Sequence, residues 1–176
     1  MKSSNSKLDK VVGALEKVNP ETQKMILAMA NQMSEMEIIA AFNQQALDMF
    51  TLVAGLTKKV GIDKEFQLAG YRNLFDNAIK MNAKLPLDKF TLIILEYAPE
   101  IYEEKEDCFL DMEIPDTDAK VGNEFAIIRS EMFKKLWRLS NTHDKEQIKN
   151  TVIPLTTFAH VHLYKTLSQH ATRNRN

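Results

Sequence analysis

Apolar residues recur at spacings of three and four through most of the chain, and that spacing predicts helix after helix. Leu8, Val11, Val12 and Leu15 share one face of a helix from about Leu8 to Val18. Asn19-Pro20 stops it and opens the next. An asparagine there can cap exposed amides, and proline fits a first helical position, where its missing N–H is not needed. The second helix carries Met25, Ile26, Met29 and Met33. Ser34 and Glu37 then stand three apart just before Ile38-Ile39, the spacing of a capping box, which predicts a restart or kink rather than one long helix. Ile38, Ile39, Phe42, Ala46, Leu47, Met49, Phe50, Val53 and Leu56 cover more than one stripe, so this helix is expected at the centre of a bundle.

Gly61 and Asp63 interrupt the pattern, and a helix from about Asp63 to Met81 follows, with Phe66, Tyr71, Leu74, Phe75, Ala78 and Ile79. Pro86 and Asp88 introduce a shorter helix, Lys89 to Tyr97; its run Leu92–Leu95 also fits a buried strand. A short helix or turn is expected over Glu100–Phe109 and a loop over Asp111–Gly122. Phe125, Ile128, Met132, Phe133, Leu136 and Trp137 then mark a strongly amphipathic helix. Asn141 or Thr142 caps a last helix from about Lys145 to Ser168, in which Pro154 predicts a kink or break. The alternation of His160 and His162 with Val161 and Leu163 fits a strand as well. The expected fold is all-α: a single-domain irregular bundle of about six to seven helices over residues 1–172, with a disordered tail at 173–176.

Composition agrees. The chain has 176 residues, 44% of them hydrophobic, with five glycines and five prolines, too few for an all-β protein rich in tight turns. A globule of this length buries about 70% of its extended-chain surface and needs no metal or disulfide to fold. One cysteine excludes an internal disulfide and any cysteine-only metal site. The polar start, Met1 to Lys10, lacks the apolar stretch of a secretory signal. The most apolar windows, Ile38–Leu56 and Thr151–Leu163, both hold polar residues that a bilayer would leave unsatisfied. The expectation is a soluble, cytoplasmic protein in a reducing compartment, with no membrane contact.

The net charge of -1 excludes a globally basic nucleic-acid binder and a strongly acidic disordered chain. Divided along the chain, it changes meaning. Residues 96–118 hold ten acidic side chains against Lys105 alone, a net of -9. Residues 1–95 sum to +2 and residues 119–176 to +6. The acidic residues Glu100, Glu103, Glu104, Glu106, Asp107 and Asp111 are therefore the candidate partner-binding surface. The plainer alternative is a solvated face paired within the fold to Lys134, Lys135 and Arg138.

Candidate chemistry is sparse. A calcium loop starting at Asp116 has Lys120 at its fifth position, Val121 at its sixth and Ile127 at its twelfth; one starting at Asp111 has Pro115 and Asp116 at its fifth and sixth. Neither supplies the needed oxygens and glycine. His160 and His162 point about 200° apart on a helix and cannot share a metal; one is expected buried or partly exposed, the other on the surface. Cys108 lies beside Asp107, which blunts a thiolate, so a small buried side chain is the better reading. The glycines are too scattered for a phosphate loop. The carboxylates are too uniform and hydrophilic for acid–base work. No catalytic residue, cofactor or metal is expected.

The stretch from Pro86 to Leu139 resembles small, uncharacterised helical proteins of large nucleocytoplasmic DNA viruses of the mimivirus and phycodnavirus kind. Pro86 and Phe90, Ile94 and Ile101, Asp107 with Phe109-Leu110, a variable acidic loop, Phe133 with Leu136-Trp137, and a final apolar helix through Leu155 and Tyr164 carry the resemblance. Cys108 departs from it, standing where another apolar or aromatic residue is expected. The resemblance implies a viral origin and a role in the infected cell or virion; no functional residue transfers. The expected function is a non-enzymatic protein-interaction or structural protein, with a virion or assembly component as its finer form, binding a protein partner or itself. The alternative is a nucleic-acid-associated protein using residues 119–176.

Overall fold

Local capping signals set the first three helices: α1 (Lys2–Glu16), α2 (Pro20–Gln32) and α3 (Glu35–Val60). The structure is a computed structural model that describes residues 2–105, 108–111 and 130–174. Asn19 Oδ1 accepts the Thr22 amide at 2.8 Å, and Pro20 opens α2. Ser34 Oγ accepts the Glu37 amide at 3.1 Å while Glu37 Oε2 accepts the Ser34 amide at 3.0 Å, closing the capping box and restarting the chain as α3. Gly61 ends α3 with φ +77°, a left-handed turn that suits a residue without Cβ.

The helix expected over 63–81 is two helices, α4 (Asp63–Phe66) and α5 (Leu68–Met81). Gln67 between them has φ +52°. Left-handed backbone at glutamine opposes local preference, so tertiary packing holds it: Phe66 stays in the core on one side of the turn, Phe75 and Ala78 on the other. After Asn82, whose Oδ1 accepts the Lys84 amide at 3.0 Å, α6 (Leu85–Ile94) runs through a 3-10 turn (Leu95–Tyr97) into α7 (Ala98–Tyr102). The apolar run at 92–95 is thus helical, and the strand alternative falls. Then come α8 (Cys108–Asp111), α9 (Ser130–Leu139) and α10 (Thr142–Asn174). Among the described residues there is no strand, and seven helices have ten residues or more.

The centre of the bundle is α10. It lies along α3, and α2, α6 and α7 also pack on it. Asn141 Oδ1 caps it by accepting the Asp144 amide at 2.8 Å. The helix runs on through Pro154, and neither a break nor a strand occurs at 160–163. Proline removes one backbone hydrogen bond at a cost of about 3 kcal/mol, which helices packed along α10 offset. The core joins Ile26, Ile38, Phe42, Phe50, Leu87, Leu95, Leu136, Trp137 and Leu155. Phe42 meets Phe90 edge-on at 5.2 Å and Phe50 meets Phe75 at 5.3 Å, tying α3 to α6 and α5.

Candidate functional site

The acidic segment begins on the edge of the bundle. Glu100 is half-buried on α7, and its Oε2 is enclosed with no hydrogen-bond partner among the described residues. Glu103 and Glu104 are exposed just past the helix end. The amides of Glu103, Glu104 and Lys105 donate to the carbonyls of Pro99, Ile101 and Glu100 at 3.0–3.1 Å, with Glu104 in left-handed backbone at φ +56°. This closure ends α7. Glu103 pairs with Lys105 at 3.1 Å, and that hydrogen bond raises the lysine's pKa. Asp111 closes α8, while Glu106 and Asp107 lie outside the described residues. The six candidate residues therefore divide: Glu100, Glu103 and Glu104 come together around the end of α7, while the loop expected over Asp111–Gly122 is helical at Asp111, and its residues 112–122 lie outside the described residues.

The lysines of the plainer alternative, Lys134 and Lys135, are engaged elsewhere. Lys134 reaches Glu131 at 3.8 Å within α9, and Lys135 pairs with Glu65 on α4. Among the described residues neither meets an acidic side chain of the 96–111 stretch, and Arg138 is exposed. Trp137 is buried, with Lys145 Nζ 5.4 Å from its ring centroid, and Phe133 packs against the core. Trp137 of α9 is thus core-forming, and Phe133 is partly buried against the same core.

The histidines correct the sequence-based expectation. Both His160 and His162 are buried, at 2% and 3% exposure, because α10 is flanked on several sides and has no single solvent face there. His160 Nδ1 lies 3.1 Å from the Tyr102 hydroxyl of α7, and Thr157 also bonds that phenol. Burial lowers the imidazole's pKa from 6.5 to about 4 and raises the phenol's well above its ordinary value, with Thr157 opposing the latter. His162 faces the other way. Its Nε2 is enclosed without a hydrogen bond and stands 3.7 Å from Glu35 Oε2 at the start of α3. Burial lowers its pKa, while Glu35 and Asp88 pull it up and Lys84 pushes it down. Asp88 is itself raised, first by burial and then by Glu35, against Lys84 and His162.

No signal near Tyr102 announced this contact; its partner stands 58 residues on. Cys108 is buried and in no disulfide. Among the described residues no three His, Cys, Asp or Glu side chains are placed to hold a metal ion. No helix among them is long and apolar enough to cross a membrane.

An uncharacterised protein of Acanthamoeba polyphaga mimivirus is 52% identical to this chain over 164 residues, which span 93% of this chain and 91% of that protein. The chain belongs to the family of that mimivirus protein. It thus resembles uncharacterised proteins of large nucleocytoplasmic DNA viruses over most of its length, beyond the stretch from Pro86 to Leu139. No family model matches the chain. No solved structure matches it either.

Proposed function

We propose that this member of the mimivirus family is a non-enzymatic interaction protein, a helical bundle whose acidic segment docks a basic protein partner during virion assembly or inside the infected cell. One observation carries the reading: Lys134 and Lys135, the cations best placed in sequence to neutralise residues 96–118, pair with Glu131 and Glu65 instead. That leaves the net of -9 over residues 96–118 without those two counter-charges. An acidic patch steers an oppositely charged partner and gives an association that weakens with salt.

The test is co-purification from infected cells at low and high salt, with a Glu103→Gln, Glu104→Gln, Glu106→Gln, Asp107→Asn variant alongside. Partners that leave at high salt and are lost from the variant support docking. The same partners on the variant sink it. Salt-sensitive binding of purified protein to duplex or single-stranded nucleic acid, unaffected by the four changes, would replace it with the nucleic-acid reading.

A further inference from the structure

The junction of α7 with α10 is a polar contact inside an apolar bundle, and its chemistry depends on one proton. With the phenol donating, His160 accepts at Nδ1, which places the ring's own proton on Nε2. A proton taken from solvent onto Nδ1 leaves the imidazolium with two N–H groups and no lone pair. The phenol then loses its acceptor on the ring and turns its hydrogen to Thr157, whose hydroxyl already donates to the Ile153 carbonyl at 2.8 Å. The hydrogen bonds can be rearranged, but among the described residues the recorded side-chain contact of His160 is the Tyr102 hydroxyl of α7, and no ion pair to the ring is found among them. Burial is what holds the imidazole below its ordinary value.

Two residues on, burial also disfavours the charged ring, but carboxylates partly offset it. His162 faces Glu35 from α3, and Asp88 and Lys84 from α6 and the residue before it. A proton there meets two carboxylates, and the 3.7 Å gap to Glu35 becomes an ion pair.

We propose that the α7–α10 junction is an acid-operated release: a proton taken up by His160 frees α7, with the acidic residues that follow it, from α10, while α3 stays packed against α10. The release stands on the Tyr102–His160 contact and not on the docking reading, and fails or holds separately from it.

The measurement is amide hydrogen exchange of the full chain, corrected for the intrinsic effect of pH on exchange. The reporters are the hydrogen-bonded amides of Glu103, Glu104 and Lys105 at the end of α7, compared with those of residues 42–50 in α3. With the imidazole held at about 4 in the closed junction and 6.5 in the open one, protection at 103–105 falls roughly twenty-fold between about pH 7 and about pH 5. Protection in α3 falls by a smaller factor. Unchanged protection at 103–105, or an equal fall in α3, overturns the proposal. A His160→Gln variant keeps an acceptor for the phenol and takes no proton, so its protection at 103–105 is independent of pH over that range; a persisting twenty-fold fall also overturns it. Should that variant not fold, the native-chain comparison decides alone.

Discussion

The two sides of α10 around residues 160–162 are equally buried and respond differently to a proton. Toward α7, His160 has a phenol for its recorded contact, and among the described residues no carboxylate pairs with it. Toward α3 and α6, His162 has Glu35 and Asp88, which partly offset the same desolvation. The lesson is that burial makes a histidine reluctant to ionise, but the charges brought up by neighbouring helices decide how reluctant. A central helix can therefore carry two buried imidazoles two residues apart in different electrostatic surroundings, both held below their ordinary pKa and one of them beside carboxylates.

The largest expected effect removes the apolar frame that both sides share. Phe42 is fully buried against Phe90, and Phe42→Ala should cost about 3–5 kcal/mol in urea unfolding. Next is acid itself. Because His160's folded pKa lies below its unfolded value of 6.5, the unfolded chain binds more protons in that window. Stability is fully present above pH 6.5, declines as pH falls toward about 4, and loses on the order of 3 kcal/mol. Asp88 acts in the opposite sense at the acid end, since its raised pKa means the folded state takes its proton first. Urea midpoints taken across the range should show the net decline; a flat profile would break the comparison.

Tyr102→Phe sharpens the α7 side. It leaves His160 Nδ1 without its donor and should cost about 1–2 kcal/mol near neutral pH. Smallest is Glu35→Gln on the other side. Glu35 is partly exposed, so at most about 1 kcal/mol of stability is lost, but His162's pKa should drop further because the charge that raises it is gone. A rise in that pKa, followed by NMR, would mean that Glu35 does not govern this imidazole.

Much of the fold is legible in sequence because its punctuation is local. Asn19-Pro20, the Ser34–Glu37 box, Gly61 and Asn141 each act within one turn of chain, and each stands where its spacing predicts. Gln67 was not legible: its left-handed turn carries no glycine and follows from where Phe66 and Phe75 must both be buried. Helical spacing correctly separates His160 from His162, yet it leads to one surface histidine, because periodicity reports direction and not what other helices cover. The acidic segment is plain in the composition. That Lys135 finds its partner elsewhere depends on Glu65 of α4 reaching α9, a contact between residues seventy positions apart.

The most direct measurement follows the ring resonances of His160 and His162 by NMR in the native chain, from about pH 8 to about pH 3.5. The account predicts that His160 titrates near pH 4 and below His162, with the amides of Glu103–Lys105 losing protection over the range where His160 resists its proton. His160 titrating at or above 6.5, or above His162, would contradict it.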